Sequence, residues 1–184
     1  MRVQSVIPEL WPDLEALFGR AGASNGCWCM YWCVGASYHR RPREENRRAL
    51  RNQTAGDTPP GLLAFDGEKP VGWCRLYPRS GLPWLEKAPW FVRVDDSPVW
   101  SIPCFYVHHR HRRQGVMSEL IEAALNAARL AGAPAVEAYP IDTTIPGSTR
   151  NTFPGVASAF IRAGFKEVAR HTAARPILRY SLAR

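Results

Sequence analysis

Lysine is scarce in this sequence, and long apolar runs are missing. Of 24 basic residues only Lys69, Lys87 and Lys166 are lysine; the other 21 are arginine. No apolar stretch approaches the ~18 residues that cross a bilayer, which excludes a membrane-spanning helix. The segment from Met1 to Pro8 carries Arg2 but neither an apolar core nor a small-residue cleavage site, so a cytoplasmic protein without a membrane partner is expected. The dinucleotide fingerprint G-x-G-x-x-G is absent, and so is the phosphate loop G-x-x-x-x-G-K-[ST]. Cysteine is present in odd number, at 27, 29, 33, 74 and 104, which argues for reduced thiols over a disulfide scaffold. Cys27, Cys29 and Cys33 are spaced closely enough to share a tetrahedral ion, but no second knuckle supplies a fourth ligand. No metal is therefore expected, and the thiols read as small packing residues.

With 184 residues, 46% of them hydrophobic and 22% charged, the chain has the composition of one globular domain spanning residues 1–184. The net charge of +8 gathers in two stretches, His39 to Arg51 and His108 to Arg113. A basic cluster attracts nucleic acid, anionic lipid or a phosphorylated small molecule. The first also holds Glu44 and Glu45 at helical spacing from Arg48, the pattern of a solvated helix face.

Val3 to Ile7 alternates as a strand, and Pro8 to Phe18 has helical periodicity with Gly19 as its stop. Gly26 to Gly35 (GCWCMYWCVG) is dense in aromatics and sulfur, and its backbone state stays open. Pro42 to Asn52 reads as a helix. Gly61 to Phe65 and Val71 to Tyr77 flank an Asp66-Gly67 turn and form a hairpin. Pro78 to Pro98, rich in proline, is expected to be an irregular, mobile connection with one short helical turn. Val99 to Val107 is a strand, Val116 to Leu130 a helix, and Ala135 to Tyr139 a buried strand. A helix over Val156 to Ala163 and strands over Phe165 to Ala169 and Ile177 to Leu182 complete the chain. A strand, helix and strand of this size make a parallel crossover, so the fold is a mixed sheet flanked by helices.

Between the strand and the helix of that crossover lies V-H-H-R-H-R-R-Q-G-V-M-S, Val107 to Ser118. A loop that ends in glycine at a helix N-terminus presents unpaired N–H groups, which with the helix dipole suit a pyrophosphate. This segment resembles the acetyl-CoA-binding motif of the GNAT superfamily of acyltransferases, (Q/R)-x-x-G-x-(G/A), with Arg112, Gly115 and Met117 at its three positions. Met117 replaces the motif's small residue; a backbone N–H makes the contact there, and a flexible thioether can turn aside. Ala64 to Leu76 is similar to the family's second and third strands, and Ser158 to Val168 to its fourth helix and sixth strand, including Gly164-Phe165. Similarity in order and spacing covers most of Val3 to Leu182.

The resemblance implies an α/β (α+β) domain with a central, mostly antiparallel sheet whose parallel fourth and fifth strands splay apart. It implies N-acetyltransfer from acetyl-CoA as cosubstrate, by direct attack of a neutral amine on the thioester. The backbone of Phe105, Tyr106 and Val107 would hold pantetheine, and Arg112, Arg113, Gln114, Gly115, Val116, Met117 and Ser118 the pyrophosphate. Cys104 stands where a covalent nucleophile would, but nothing in the sequence supplies its base, so packing is the reading. Two positions depart from the family. Phe160 occupies the place of the tyrosine that protonates the leaving thiolate in many relatives, and Val99 to Phe105 lacks the carboxylate base that some carry. Glu137 and Tyr139 share one face of the fifth strand and are candidates for base and acid. The alternative is that Glu137 pairs a buried arginine and Tyr139 packs.

Trp28, Tyr31 and Trp32 fall where this fold walls its acceptor pocket, and an aromatic wall suits an apolar group or an amine. A core cluster under the sheet is the alternative; the pocket and a small-molecule amine, or an amino acid, are the preferred reading. A macromolecular acceptor, a protein amine or a charged tRNA, is permitted by the +8 charge but not favoured. A catalytically silent CoA-binding module is the third reading. A homodimer is compatible with the sequence.

Overall fold

Alternating side chains along the hairpin of β2 (Gly61–Asp66) and β3 (Lys69–Pro78) divide the apolar residues between two faces. In the computed structural model, which describes residues 1–148 and 152–182, Leu62, Ala64, Cys74 and Leu76 enter one core. Leu63, Phe65 and Trp73 enter the other. The hairpin is the centre of a seven-stranded sheet with β1 (Arg2–Ser5), β4 (Trp100–Val107), β5 (Ala135–Ala138), β6 (Lys166–Thr172) and β7 (Arg175–Ser181). The order is β1-β2-β3-β4-β5-β7-β6. Only β4 and β5 run parallel; every other pairing is antiparallel.

The helix α5 (Val116–Leu130) lays Val116, Leu120, Ile121, Ala124 and Ala128 on the first face, with α6 (Ala157–Arg162) beside it. The second face is covered by α1 (Trp11–Phe18) and by a loop leading through the single turn α2 (Tyr31–Val34) to α3 (Arg43–Thr54). The expected helix Pro8 to Phe18 is split, with Pro8–Leu10 forming a 3-10 turn ahead of α1. Pro12 has no N–H to give the Pro8 carbonyl, which is taken instead by Trp11 N–H. The connection from 78 to 98 is a packed structure, correcting the mobile segment expected. Around α4 (Pro83–Lys87), Leu82, Leu85, Ala88 and Phe91 are buried against Trp32, Tyr139 and Ile177 as a third core.

The parallel pair is short. Trp100, Ser101 and Ile102 meet Val136, Glu137 and Ala138, and there the ladder ends. A proline follows in each strand: Pro103 inside β4, and Pro140 two residues beyond the end of β5. Neither has an N–H to donate, and proline interrupts a ladder. β4 also carries an extra residue relative to β3, because Arg75 pairs with Cys104 while Tyr77 pairs with Ser101. The indole of Trp32 donates to the Pro103 carbonyl at 3.0 Å, fixing α2 against this point.

Helix α5 lies tightly on β3 because Gly72 has no side chain. A Cβ there would stand 2.5 Å from Val116 Cγ1 and 3.2 Å from Leu120 Cδ1. Gly72→Ala should lower stability by ~1–3 kcal/mol in denaturant unfolding through overpacking. Gly56→Ala, whose Cβ would meet only the Gln53 carbonyl at 3.5 Å, should change it little. Equal stability of the two variants would show that α5 does not press on the sheet as described.

Candidate active site

The loop from β4 to α5 ends in a left-handed residue, Gly115, with φ 83° and ψ −5°. That conformation favours glycine and turns the chain so that the first helical N–H groups point outward. Ser118 and Glu119 donate back to the Gly115 carbonyl, at 2.9 and 3.2 Å. No side chain caps the helix, and among the described residues no backbone acceptor meets the N–H groups of Gly115, Val116 and Met117. Those groups and the start of a 15-residue helix are suited to an anion. Met117 turns toward the protein, its thioether beside Gly155, and packs against the first core. Arg112 is drawn back to the Val107 carbonyl by its Nε at 3.3 Å, and Gln114 to the Arg110 carbonyl at 2.9 Å. Arg113 and Ser118 complete the sequence-predicted set on this turn.

The edge of β4 beyond Ile102 is the second part. His108 N–H reaches the Val71 carbonyl on β3, so strand alternation sends the polar groups of Pro103, Phe105 and Val107 to the opposite edge, where β5 has departed. Phe105 N–H donates there to the Phe153 carbonyl at 2.6 Å. The amide singled out for pantetheine therefore already has a partner from the segment before α6. Tyr106 faces β3 with its backbone, while its ring stands edge-on to Phe18.

The third part is a cavity of about 710 Å³ between that edge and the α1–α2 loop. Tyr31 and Trp32 line it, as the aromatic segment suggested, together with Cys104, Phe105 and Tyr106 of β4. Trp28 does not, and this corrects its placement in the pocket. Its ring is 4% exposed, stacked at 5.8 Å on Trp11 and tilted against Phe18. The loop turns through left-handed residues, including Trp28 (φ 46°) and Cys29 (φ 55°), so helical spacing does not say which rings share a side. Sequence reasoning missed Trp73, Tyr38, His39, Phe153 and Arg175 in the wall. They come from four separate segments, and only the aromatic character of some was a signal. Among the described residues no Asp or Glu lines the cavity.

Glu137 and Tyr139 do share a face of β5, but they do not border the cavity. Glu137 is 1% exposed and receives Arg79 Nη1 at 3.0 Å and Arg179 Nη2 at 2.7 Å. Tyr139 donates to the same carboxylate at 2.9 Å and meets Ser101 Oγ at 2.9 Å. Burial, and then the neighbouring carboxylate charge, push the phenol well above its ordinary value. A phenol so raised is a weak acid. The geometry is that of a buried ion pair with a packed tyrosine, and the base and acid roles find no substrate-facing surface. Phe160, in the place of the usual tyrosine, is fully buried between Phe105 and Phe165.

Among the described residues no group of three or more His, Cys, Asp or Glu is disposed to hold a metal, and no helix is long and apolar enough to cross a membrane.

A family model described as acetyltransferase (GNAT) family matches residues 20–146. A comparison with curated proteins finds no match. Solved structures of the same fold include "The crystal structure of acetyltransferase", at TM-score 0.60 and 14% identity over 99% of this chain and 100% of that one. PaiA N-acetyltransferase from Thermoplasma acidophilum in complex with coenzyme A matches at 0.56 and 11%, over 98% of both chains. The yncA protein from Salmonella typhimurium with acetyl-CoA matches at 0.57 and 11%, over 100% of this chain and 94% of that one.

Breaking the Glu137 cluster should act on stability. Glu137→Gln should cost ~3–5 kcal/mol of unfolding free energy by removing the buried carboxylate that Arg79 and Arg179 share, and Tyr139→Phe ~1–3 kcal/mol by leaving hydrogen-bond partners unpaired. Turnover at a temperature where both remain folded should stay within a few-fold of wild type. A hundredfold loss of turnover in Tyr139→Phe at unchanged stability would restore the phenol as a catalytic acid.

Proposed function

The chain belongs to the acetyltransferase (GNAT) family, and from that premise we propose that it transfers acetyl from acetyl-CoA to the primary amine of a small acceptor that also carries a carboxylate, in the manner of an apolar amino acid. The composition of the cavity wall carries this reading: among the described residues it holds aromatic rings, no carboxylate and one arginine. Arg175, at the start of β7, is half-buried, and among the described residues no carboxylate pairs with it. Burial lowers its tendency to stay protonated. A partly desolvated cation without a counter-ion favours an anionic ligand. Tyr31, Trp32 and Phe153 supply apolar surface for the acceptor's side chain, and the volume falls within the range of small-molecule sites. A polycation would find no anion in this wall.

The residues present fit acetyl-CoA. Outward N–H groups at Gly115, Val116 and Met117 would hold the pyrophosphate, with the charge of Arg112 and Arg113 beside them. The outward edge of Phe105 and Val107 would hold pantetheine as an added strand. When bound, the thioester supplies the activated acyl carbon. The chain's part is to align a neutral amine with it and to exclude water, without a covalent enzyme intermediate. We assign Glu137 and Tyr139 to holding β5 at the point where the strands part, and the return of a proton to the leaving thiolate to solvent. Five free thiols suit a reducing compartment, and we place the enzyme in the cytoplasm.

Acetyl-CoA should raise the melting temperature of the wild type, and Gly115→Val should abolish the rise because a β-branched residue resists φ 83°. In a thiol-release assay across an amine panel, large apolar amino acids should react. Their carboxamides should lose ~10-fold or more in kcat/KM, and Arg175→Gln should erase that preference. Activity should barely depend on salt. Polyamines faster than amino acids, or steep salt inhibition with RNA binding, would contradict the acceptor class; silence with every amine would leave a CoA-binding module.

A further inference from the structure

Arg75 is fully buried in β3, and among the described residues no carboxylate pairs with it. Its Nη2 donates to Gln53 Oε1 at 2.6 Å and to Cys33 Sγ at 3.4 Å, and Nη1 to the Cys29 carbonyl at 3.2 Å. Its Nε has no acceptor. Removing a guanidinium from water without an anion is strongly unfavourable, so such a site calls for a negative partner. The ionisable groups packed around it are Cys29 and Cys33 from the loop and α2, Cys104 from β4, and Tyr77 of its own strand, whose ring faces the guanidinium at 5.6 Å. Of these, Cys29 is the one equipped to carry charge. Trp73 Nε1–H donates to its sulfur at 3.3 Å. Cys29 and Cys104 line the acceptor cavity, whereas Cys33 does not. The strained φ of 55° at Cys29 is held by Arg75 grasping its carbonyl, the kind of conformation that persists where the surroundings over-determine it.

We propose that Cys29 is a thiolate in the resting enzyme and the general base that takes the proton of the acceptor's ammonium group inside the cavity. This rests on the acceptor cavity of the proposed function and supplies the base that β4 lacks. Cys29 S⁻ accepts one proton and becomes S–H, leaving the amine neutral. The amine nitrogen then forms its bond to the acyl carbon as the bond from that carbon to the CoA sulfur breaks. The electron pair leaves on that sulfur, and the amine's second proton ends on it through solvent. Cys29 returns its proton to water. Burial pushes the Cys29 thiol up, but the neighbouring Cys104 thiol, the Arg75 charge and the Trp73 hydrogen bond outweigh it and bring it to about 7. Cys104 is raised well above the ordinary value, as the member of the pair that keeps its proton, and Cys27 is pushed to about 11 by burial and by Cys29. A base near 7 is matched to neutral pH. Because the folded value lies below the ordinary 9.0, the thiolate's contribution to stability is complete above 9.0 and is lost as pH falls through about 7.

Ultraviolet thiolate absorbance of the whole protein without substrate should titrate near pH 7, a step lost in Cys29→Ser and kept in Cys33→Ser. No step below pH 9.0, or a step that survives Cys29→Ser, overturns the thiolate. This measurement decides the point whether or not any amine is acetylated, so its failure is separate from failure of the proposed function. With an amine that the wild type acetylates, Cys29→Ser should lose ~10²-fold or more in kcat while keeping the acetyl-CoA-induced melting shift. Activity within threefold of wild type overturns the base. Acetyl-CoA alone should leave the protein mass unchanged; an acetyl group found on Cys29 overturns the base role in favour of a covalent nucleophile.

Discussion

After three paired residues β4 and β5 part, and the site is built on that parting. A parallel pair that continued would close the sheet and satisfy the edge of Phe105 and Val107. The sequence prevents it with Pro103 in β4, Pro140 just beyond β5 and an extra residue in β4, while Trp32 takes the carbonyl of Pro103. The freed edge cannot stay bare inside a protein. Phe153 supplies one acceptor, and the gap on the second face of the sheet is lined by rings. The same divergence thus yields a polar edge suited to an extended amide chain and, at its end, an apolar cavity in which an amine can lose its solvation.

Two buried arginines on β3 and the turn after it show how the molecule spends charge on the second face. Arg79 meets Glu137, Glu86 and the Phe91 carbonyl, a satisfied network that ties α4 and the 78–98 segment to β5 and β7. Arg75, four residues earlier, has sulfur, an amide and a carbonyl in place of carboxylates. A guanidinium does not shed its proton on burial as lysine does, so a chain rich in arginine and poor in lysine can keep fixed cations inside. One cation locks the scaffold; the other stands against the Cys29 carbonyl and the Cys33 sulfur.

Much of the fold was legible because period and punctuation agree. The helix Val116 to Leu130 runs over the expected residues, since Gly115 marks its start and an apolar stripe its face. The β2–β3 hairpin follows from Asp66-Gly67 between two apolar runs. Period two put Glu137 and Tyr139 on one face, yet what packs on that face comes from a 3-10 turn and a strand 58 and 42 residues away, which no local pattern announces. Trp28 and Trp32 were indistinguishable in sequence; both are buried, but the left-handed residues Trp28 and Cys29 send the first ring into the second core, while Trp32, in the third, borders the cavity. The parting of β4 and β5 was expected from the family resemblance alone; Pro103 and Pro140, which stand where the strands diverge, were not singled out. Arg175 and Arg75 carried none, because an arginine's missing partner is visible only once its surroundings are.

The most direct test of this account is a crystal structure with acetyl-CoA bound. The account predicts pantetheine along the edge of Phe105 and Val107, the Phe153 carbonyl displaced from the Phe105 amide, and the acetyl group directed into the cavity that holds Cys29 and Arg175. Pantetheine lying elsewhere with the Phe105 to Phe153 bond intact, or an acetyl group directed at Glu137 and Tyr139, would contradict it.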